Sequence, residues 1–144
     1  MSLPEAIAEV LGGSKVLKTA IRTMDDFAQL IRTGIPVKSV DVMMHTAGLS
    51  KEELLVPIGI SKATFDRRKQ QARFEARESD RLFRLAYVLA RATEVFGTRK
   101  KAVHWLHNPN RALRSETPLT RLDTEVGFQE VNTILGRIEH GVYS

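Results

Sequence analysis

The chain has 144 residues, 42% of them hydrophobic and 27% charged, with no cysteine and a formal net charge of +5. A chain of this length can bury about 70% of its unfolded surface without a staple, and the missing cysteines exclude disulfides and thiolate chemistry and fit a reducing compartment. No run of about 18 apolar residues is present to span a membrane, and the start MSLPEAIAEVLGG lacks a basic lead and a small-residue cleavage site, so a cytoplasmic protein is expected.

The positive charge is concentrated. Residues 61–77 hold six bases against two acids, while residues 3–30 hold four acids against three bases. A basic stretch of that kind points to an acidic partner.

In chain order, Ser2 with Glu5 forms a capping box for a first helix whose apolar face is Ala6, Ile7, Val10 and Leu11. Gly12-Gly13 is expected to end it. The GGSK that follows lacks the spacing of a phosphate-binding loop. A second helix near Met24–Thr33 carries Phe27, Leu30 and Ile31 and stops at Gly34. This N-terminal third reads as a packing or dimerisation element. Pro36 starts a third helix with Val37, Val40, Met43, Met44 and Ala47 on one side and Gly48 at its end.

Ser50 and Glu53 then cap a short helix through Val56. Pro57 cannot continue it for long, and Gly59 gives the freedom for a sharp turn. Ser61 caps the next helix. Helix, glycine turn and capped basic helix make a helix-turn-helix pattern, with Leu54, Ile58, Ile60 and Phe65 at the apolar positions. It is degenerate: Leu55 replaces a small residue, Pro57 crowds the turn, and Arg68 stands where an apolar residue is expected. The plainer reading is a helical hairpin with a solvated basic face.

On the DNA reading, the exposed positions are Ser61, Lys62, Thr64, Arg67, Arg68 and Gln70. Ser61 and the helix start would hold a phosphate. Arg67 and Gln70 suit guanine and adenine edges, and Lys62, Arg68, Lys69 and Arg73 suit phosphates. One small motif binds weakly, so a homodimer on a two-fold operator is expected.

Ser79-Asp80 is expected to cap the most hydrophobic helix, RLFRLAYVLARATEVF, which is apolar over enough of its circumference to be the central core helix of its lobe and ends at Gly97. Thr98 caps another, RKKAVHWLHNP, halted before Pro109. Residues 108–116 read as an irregular polar loop. Thr117 and Pro118 open a short helix carrying Leu119 and Leu122. A last helix begins near Asp123 or Thr124, with Val131, Ile134, Leu135, Ile138 and Val142 in one stripe and Gly141 as a left-handed cap. An apolar-aromatic end after it, Val142-Tyr143, either tucks onto its own core or enters something else.

No catalytic constellation is present, and the expectation is a protein that is not an enzyme and needs no cofactor, metal or small-molecule substrate. His104 and His107 share a helix face without a nearby carboxylate to complete a metal site. Asp25-Asp26 and Glu52-Glu53 are adjacent, so their side chains leave a helix in different directions.

The second half of the chain resembles the C-terminal toxin-binding domain of the Xre/MbcA/ParS antitoxins. The resemblance rests on Asn108-Pro109, Leu113, Pro118-Leu119, Leu122, Thr124-Glu125, Gly127, Val131, Leu135-Gly136-Arg137-Ile138 and His140-Gly141-Val142-Tyr143. After Asn-Pro, Arg-Ala-Leu-Arg-Ser-Glu replaces the usual glycine-rich wording. Together with the helical patterns above, the resemblance leads to the expectation of an all-α protein in two parts, a helix-turn-helix DNA-binding region over 1–77 and a toxin-binding domain over 78–144. It also implies an antitoxin that blocks the active-site entrance of a cognate toxin, often an NAD-consuming RES-type protein, and represses its own operon. On that reading Ile138, Val142 and Tyr143 are apolar anchors for the toxin, and Arg137, Glu139 and His140 its polar rim. Glu139 or the carboxylate of Ser144 would meet the toxin's cationic groups. The alternative is a stand-alone DNA-binding regulator whose C-terminal domain only dimerises.

Overall fold

The computed structural model describes residues 1–141, so Val142, Tyr143 and Ser144 lie outside the described residues. Among the described residues the fold is all-α: nine helices, two short 3-10 turns and no strand. The helices are α1 (Leu3–Val10), α2 (Gly13–Leu17), α3 (Met24–Thr33), α4 (Lys38–Ala47), α5 (Lys51–Ile58), α6 (Lys62–Gln71), α7 (Ala76–Phe96), α8 (Arg99–His107) and α9 (Glu125–Glu139). The 3-10 turns are Arg111–Leu113 and Thr120–Asp123.

Local signals set most of these boundaries. Ser2 and Glu5 close a reciprocal capping box on α1, as do Thr23 and Asp26 on α3. α1 ends just before Gly12 and Gly13, as expected; both take positive φ, and the short α2 follows directly.

The long helix α7 is the axis of the fold, with α1, α3, α5, α8 and α9 packed around it. Leu82, Leu85, Ala86, Val88, Leu89 and Ala92 are fully buried along it. Burying a leucine stabilises by about 2 kcal/mol, so one helix surrounded on this scale organises both halves of the chain into one core. An aromatic file runs along one side: Phe27 to Phe83 at 4.9 Å, Phe83 to Tyr87 at 6.0 Å and Tyr87 to Phe128 at 5.6 Å between ring centroids.

The start of α7 departs from expectation. The cap is Glu75, paired with Glu78, and not Ser79-Asp80. Ser79 is fully buried one turn inside α7, and its hydroxyl accepts the Ile35 N–H at 2.8 Å. That contact serves a backbone group 44 residues away. It ties the link between α3 and α4 to the first turn of α7, and two backbone bonds tie that same link to the one between α6 and α7. Val37 N–H donates to Ala72 carbonyl and Phe74 N–H to Ile35 carbonyl, both at 3.0 Å. The two extended segments lie so close that a Cβ on Gly34 would come within 2.3 Å of the Phe74 carbonyl oxygen.

The segment after α8 is also more ordered than a loop. Asn110 caps its 3-10 turn, accepting the Ala112 N–H at 2.9 Å, and its own N–H donates to the Glu116 carbonyl at 2.9 Å.

Candidate nucleic-acid and partner interfaces

Helices α5 and α6 form the helix-turn-helix. Ser50 and Glu53 cap α5 reciprocally at 2.9 and 3.1 Å. Pro57 sits in the last turn of α5, one residue before its end. Gly59 then takes φ +79°, and its N–H reaches the Leu55 carbonyl at 2.9 Å. Leu55 is buried, so the turn accommodates a larger side chain than the pattern usually holds. Ser61 caps α6 through the Thr64 N–H at 3.1 Å.

On α6, Ser61, Lys62, Arg67, Lys69 and Gln70 are exposed. Thr64 is half-buried, and its hydroxyl lies 3.2 Å from Ser61 Oγ and accepts from Arg67 at 3.3 Å. Two of the expected contacts face elsewhere. Arg68 is buried, not exposed. Its guanidinium donates to both oxygens of Glu78, at 2.7 and 2.9 Å, and lies 3.0 Å from Glu75. The periodicity had required an inward position there, and a charged residue occupies it by bringing in its own carboxylate. Arg73 is half-buried and donates to the Gly34 carbonyl.

The pair Arg68–Glu78 explains the electrostatics of this corner. Burial opposes the charge on Glu78, but the Arg68 guanidinium and the Glu75 N–H outweigh it and hold the carboxyl below its ordinary value. The same bond to Glu78 raises the Arg68 guanidinium.

The C-terminal part is built on α8, the 3-10 turns and α9. Thr98 caps α8 through the Lys101 N–H at 3.1 Å. Trp105 packs on Phe96 with centroids 5.5 Å apart. The Leu119 N–H donates to the Leu106 carbonyl at 3.1 Å, which pins the second 3-10 turn to α8. Thr124 caps α9 through the Gly127 N–H at 3.0 Å. Arg121 joins Glu130 of α9 and, at 3.6 Å, Glu116. His107 contacts Glu53 of α5 through Nε2, while its Nδ1 lies 2.9 Å from the Val103 carbonyl. This contact links the helix-turn-helix to the C-terminal part across 54 positions of sequence, which no local pattern could reveal.

Along α9, Val131 and Leu135 are buried and Ile134 and Ile138 half-buried. Arg137 and His140 are exposed, and Gly141 has φ +72°. Glu139 is partly committed to the fold, paired with Arg91 of α7 at 3.1 Å.

Comparison with known proteins places both parts. Residues 91–141 match the antitoxin Xre/MbcA/ParS C-terminal toxin-binding domain. Residues 26–87 match the antitoxin Xre-like helix-turn-helix domain. Among similar proteins are two called antitoxin Xre. The one from Photorhabdus laumondii is 36% identical over 117 residues, covering 80% of this chain and 79% of that protein. The one from Yersinia enterocolitica is 37% identical over 116 residues, covering 79% and 78%. A third antitoxin Xre, from Pseudomonas putida, is 42% identical over 64 residues, covering 44% and 40%.

Proposed function

We propose that this chain, which belongs to the antitoxin Xre family, neutralises a cognate toxin by seating its C-terminal domain over the toxin's active-site entrance, and represses its own operon through α6. The toxin is an NAD-consuming protein of the RES type, and the antitoxin acts in the cytoplasm as a homodimer. The domains divide near residue 77, with the toxin-binding part C-terminal to it. Inhibition is steric, so the role asks no catalysis of the chain.

The observation that carries the toxin reading is Gly136. A Cβ there would meet nothing within 4 Å, so the fold itself does not require a glycine. Within a helix, glycine is less favourable than alanine by about 0.8–1.0 kcal/mol. A bare backbone in the last turn of α9 lets another chain approach closely. Exposed Arg137 and half-buried Ile138 follow it, which supplies an apolar contact beside a polar rim.

Gly136→Ala should therefore raise the melting midpoint by about 2–4 °C while weakening toxin binding by about tenfold, or 1.4 kcal/mol. Calorimetry on the purified toxin checks this. Equal toxin affinity for parent and variant would remove Gly136 from the interface. A tagged pull-down beside a chain lacking Val142, Tyr143 and Ser144 tests the anchors. A small NAD-consuming protein should be retained by the full chain and lost by the truncated one, provided the latter still melts cooperatively.

The DNA reading is supported by the exposed cations of α6 and its capped start. Arg67→Ala should cost about 1–3 kcal/mol of operator affinity and relax specificity at one base pair. Sequence-independent binding that this change leaves untouched at moderate salt would sink the assignment.

A further inference from the structure

Beside α6 lies a cleft of about 400 Å³ that the helix-turn-helix pattern does not account for. Lys69 and Arg73 form one wall, Lys18 the rim at the end of α2, and Lys38 the start of α4. Half-buried Val16 contributes an apolar surface beside them. Lys69 is two positions from Arg67 on α6, so the two side chains leave the helix on different sides. The cleft thus flanks the face that carries Arg67.

Its charge is unbalanced. Four cations line it against one acid, Asp41. None of the four forms an ion pair among the described residues. Arg73 is fixed by its bond to the Gly34 carbonyl and cannot swing out to disperse the charge. The walls also hold backbone strain. Of the four non-glycine residues with positive φ among the described residues, two line this cleft: Lys18 at 62° and Ala72 at 69°. Such conformations cost of order 1–3 kcal/mol each and persist where the surroundings impose them. Here the Ala72 carbonyl accepts the Val37 N–H at 3.0 Å, which stitches the two walls together.

We propose that this cleft grips the sugar-phosphate backbone of the operator beside the groove that α6 enters, with Lys18 and Lys38 neutralising phosphates and Val16 against the deoxyribose. The inference rests on the DNA reading and extends it. Lys18 lies outside residues 26–87, so the N-terminal helices add a phosphate contact that the helix-turn-helix lacks. An acidic protein segment is the rival occupant. Lys69 belongs both to this cleft and to α6, which favours DNA.

The test titrates the full chain on a duplex from upstream of its own gene and on a scrambled duplex, between about 50 and 200 mM salt. Lys18→Gln and Lys38→Gln should each reduce the slope of log affinity against log salt by about 0.9 per bound protomer, while preference for the upstream duplex persists. Lys38→Arg should keep the parent slope. Lys18→Gly removes the charge and relieves the positive φ, so it should lower the slope with a melting midpoint at or above the parent's, which separates contact from unfolding.

A parent that prefers its upstream duplex in an Arg67-dependent way, with slopes unchanged by both glutamine variants, overturns the cleft and leaves α6 as the reader. A parent that binds neither duplex overturns both readings. Unchanged slopes together with lost binding to an acidic protein would hand the cleft to that protein.

Discussion

Gly127→Ala should cost more than about 3 kcal/mol and detach α9 from the fold, lowering the melting midpoint by roughly 6–12 °C for a chain of this size. Gly127 is the third residue of α9, and a Cβ there would lie 1.8 Å from the Arg121 carbonyl oxygen and 2.8 Å from its carbon. Those are backbone atoms of the second 3-10 turn, so no rotamer change relieves the overlap. Either α9 or the turn must move. The turn carries Leu122 and α9 carries Val131 and Leu135, all buried in the shared core, so movement opens that core. Gly136→Ala in the same helix is the internal control, since it changes the same residue type with nothing nearby to strike. The two substitutions should move the melting midpoint in opposite directions. Toxin retention should fall in both, through unfolding of the interface in one and through blocked approach in the other. A Gly127→Ala chain that melts with the parent would sink the steric account.

The contrast between these glycines also marks how far the sequence could be read. Helix caps were legible because their signal is local. Ser2, Ser50, Ser61, Thr98 and Thr124 each precede the helix they were expected to start, and each accepts an N–H three residues on. Helical periodicity likewise marked α7 as a core helix of its own lobe, but its packing on α1, α3 and α5 as well was not legible there. What stayed hidden depends on partners distant in sequence. Ser79 looks like a cap, but the Ile35 N–H recruits it into the core. Arg68 occupies an inward position with an outward-looking side chain, and Glu78, ten residues on, settles the conflict. Arg73 looks like a phosphate ligand until the Gly34 carbonyl, 39 residues earlier, takes it. In the opposite direction, Lys18 lies in a stretch with more acids than bases, and only the packing of α2 on α4, across a cleft from Lys69, gathers it into a basic cluster. Charge counted along the chain is therefore a poor guide to charge on the surface.

Glu78→Ala should destabilise the chain by about 3 kcal/mol, because it strands a buried guanidinium. Glu78 is 7% exposed and gives Arg68 both carboxylate oxygens. It also accepts the Glu75 N–H at 2.9 Å, so the same change removes the cap of α7. Glu75, whose side chain is 67% exposed, and Gln71, at 3.3 Å, remain near Arg68 but cannot replace a bidentate partner. Replacing the pair together, as Arg68→Met with Glu78→Leu, should recover most of the loss, since an apolar pair leaves no charge buried. The pH dependence has a definite sign. The Glu78 carboxyl lies below its ordinary value of 4.5 in the folded chain, so its contribution is fully present above that value and is lost as pH falls through the folded one. The gap in melting midpoint between parent and Glu78→Ala should be constant from neutral pH to about 5 and should close below 4.5. Glu5, Asp26 and Glu53 are also held below their ordinary values, but they are common to both chains, so the difference isolates Glu78. The pair, with buried Phe65 on the same face, sets the roll of α6 about its axis. Glu78→Ala should accordingly weaken operator binding through misplacement of Arg67 and Gln70, and the apolar double variant should restore it. A double variant that melts like the parent and still fails on DNA would show that Arg68 itself is needed at the operator.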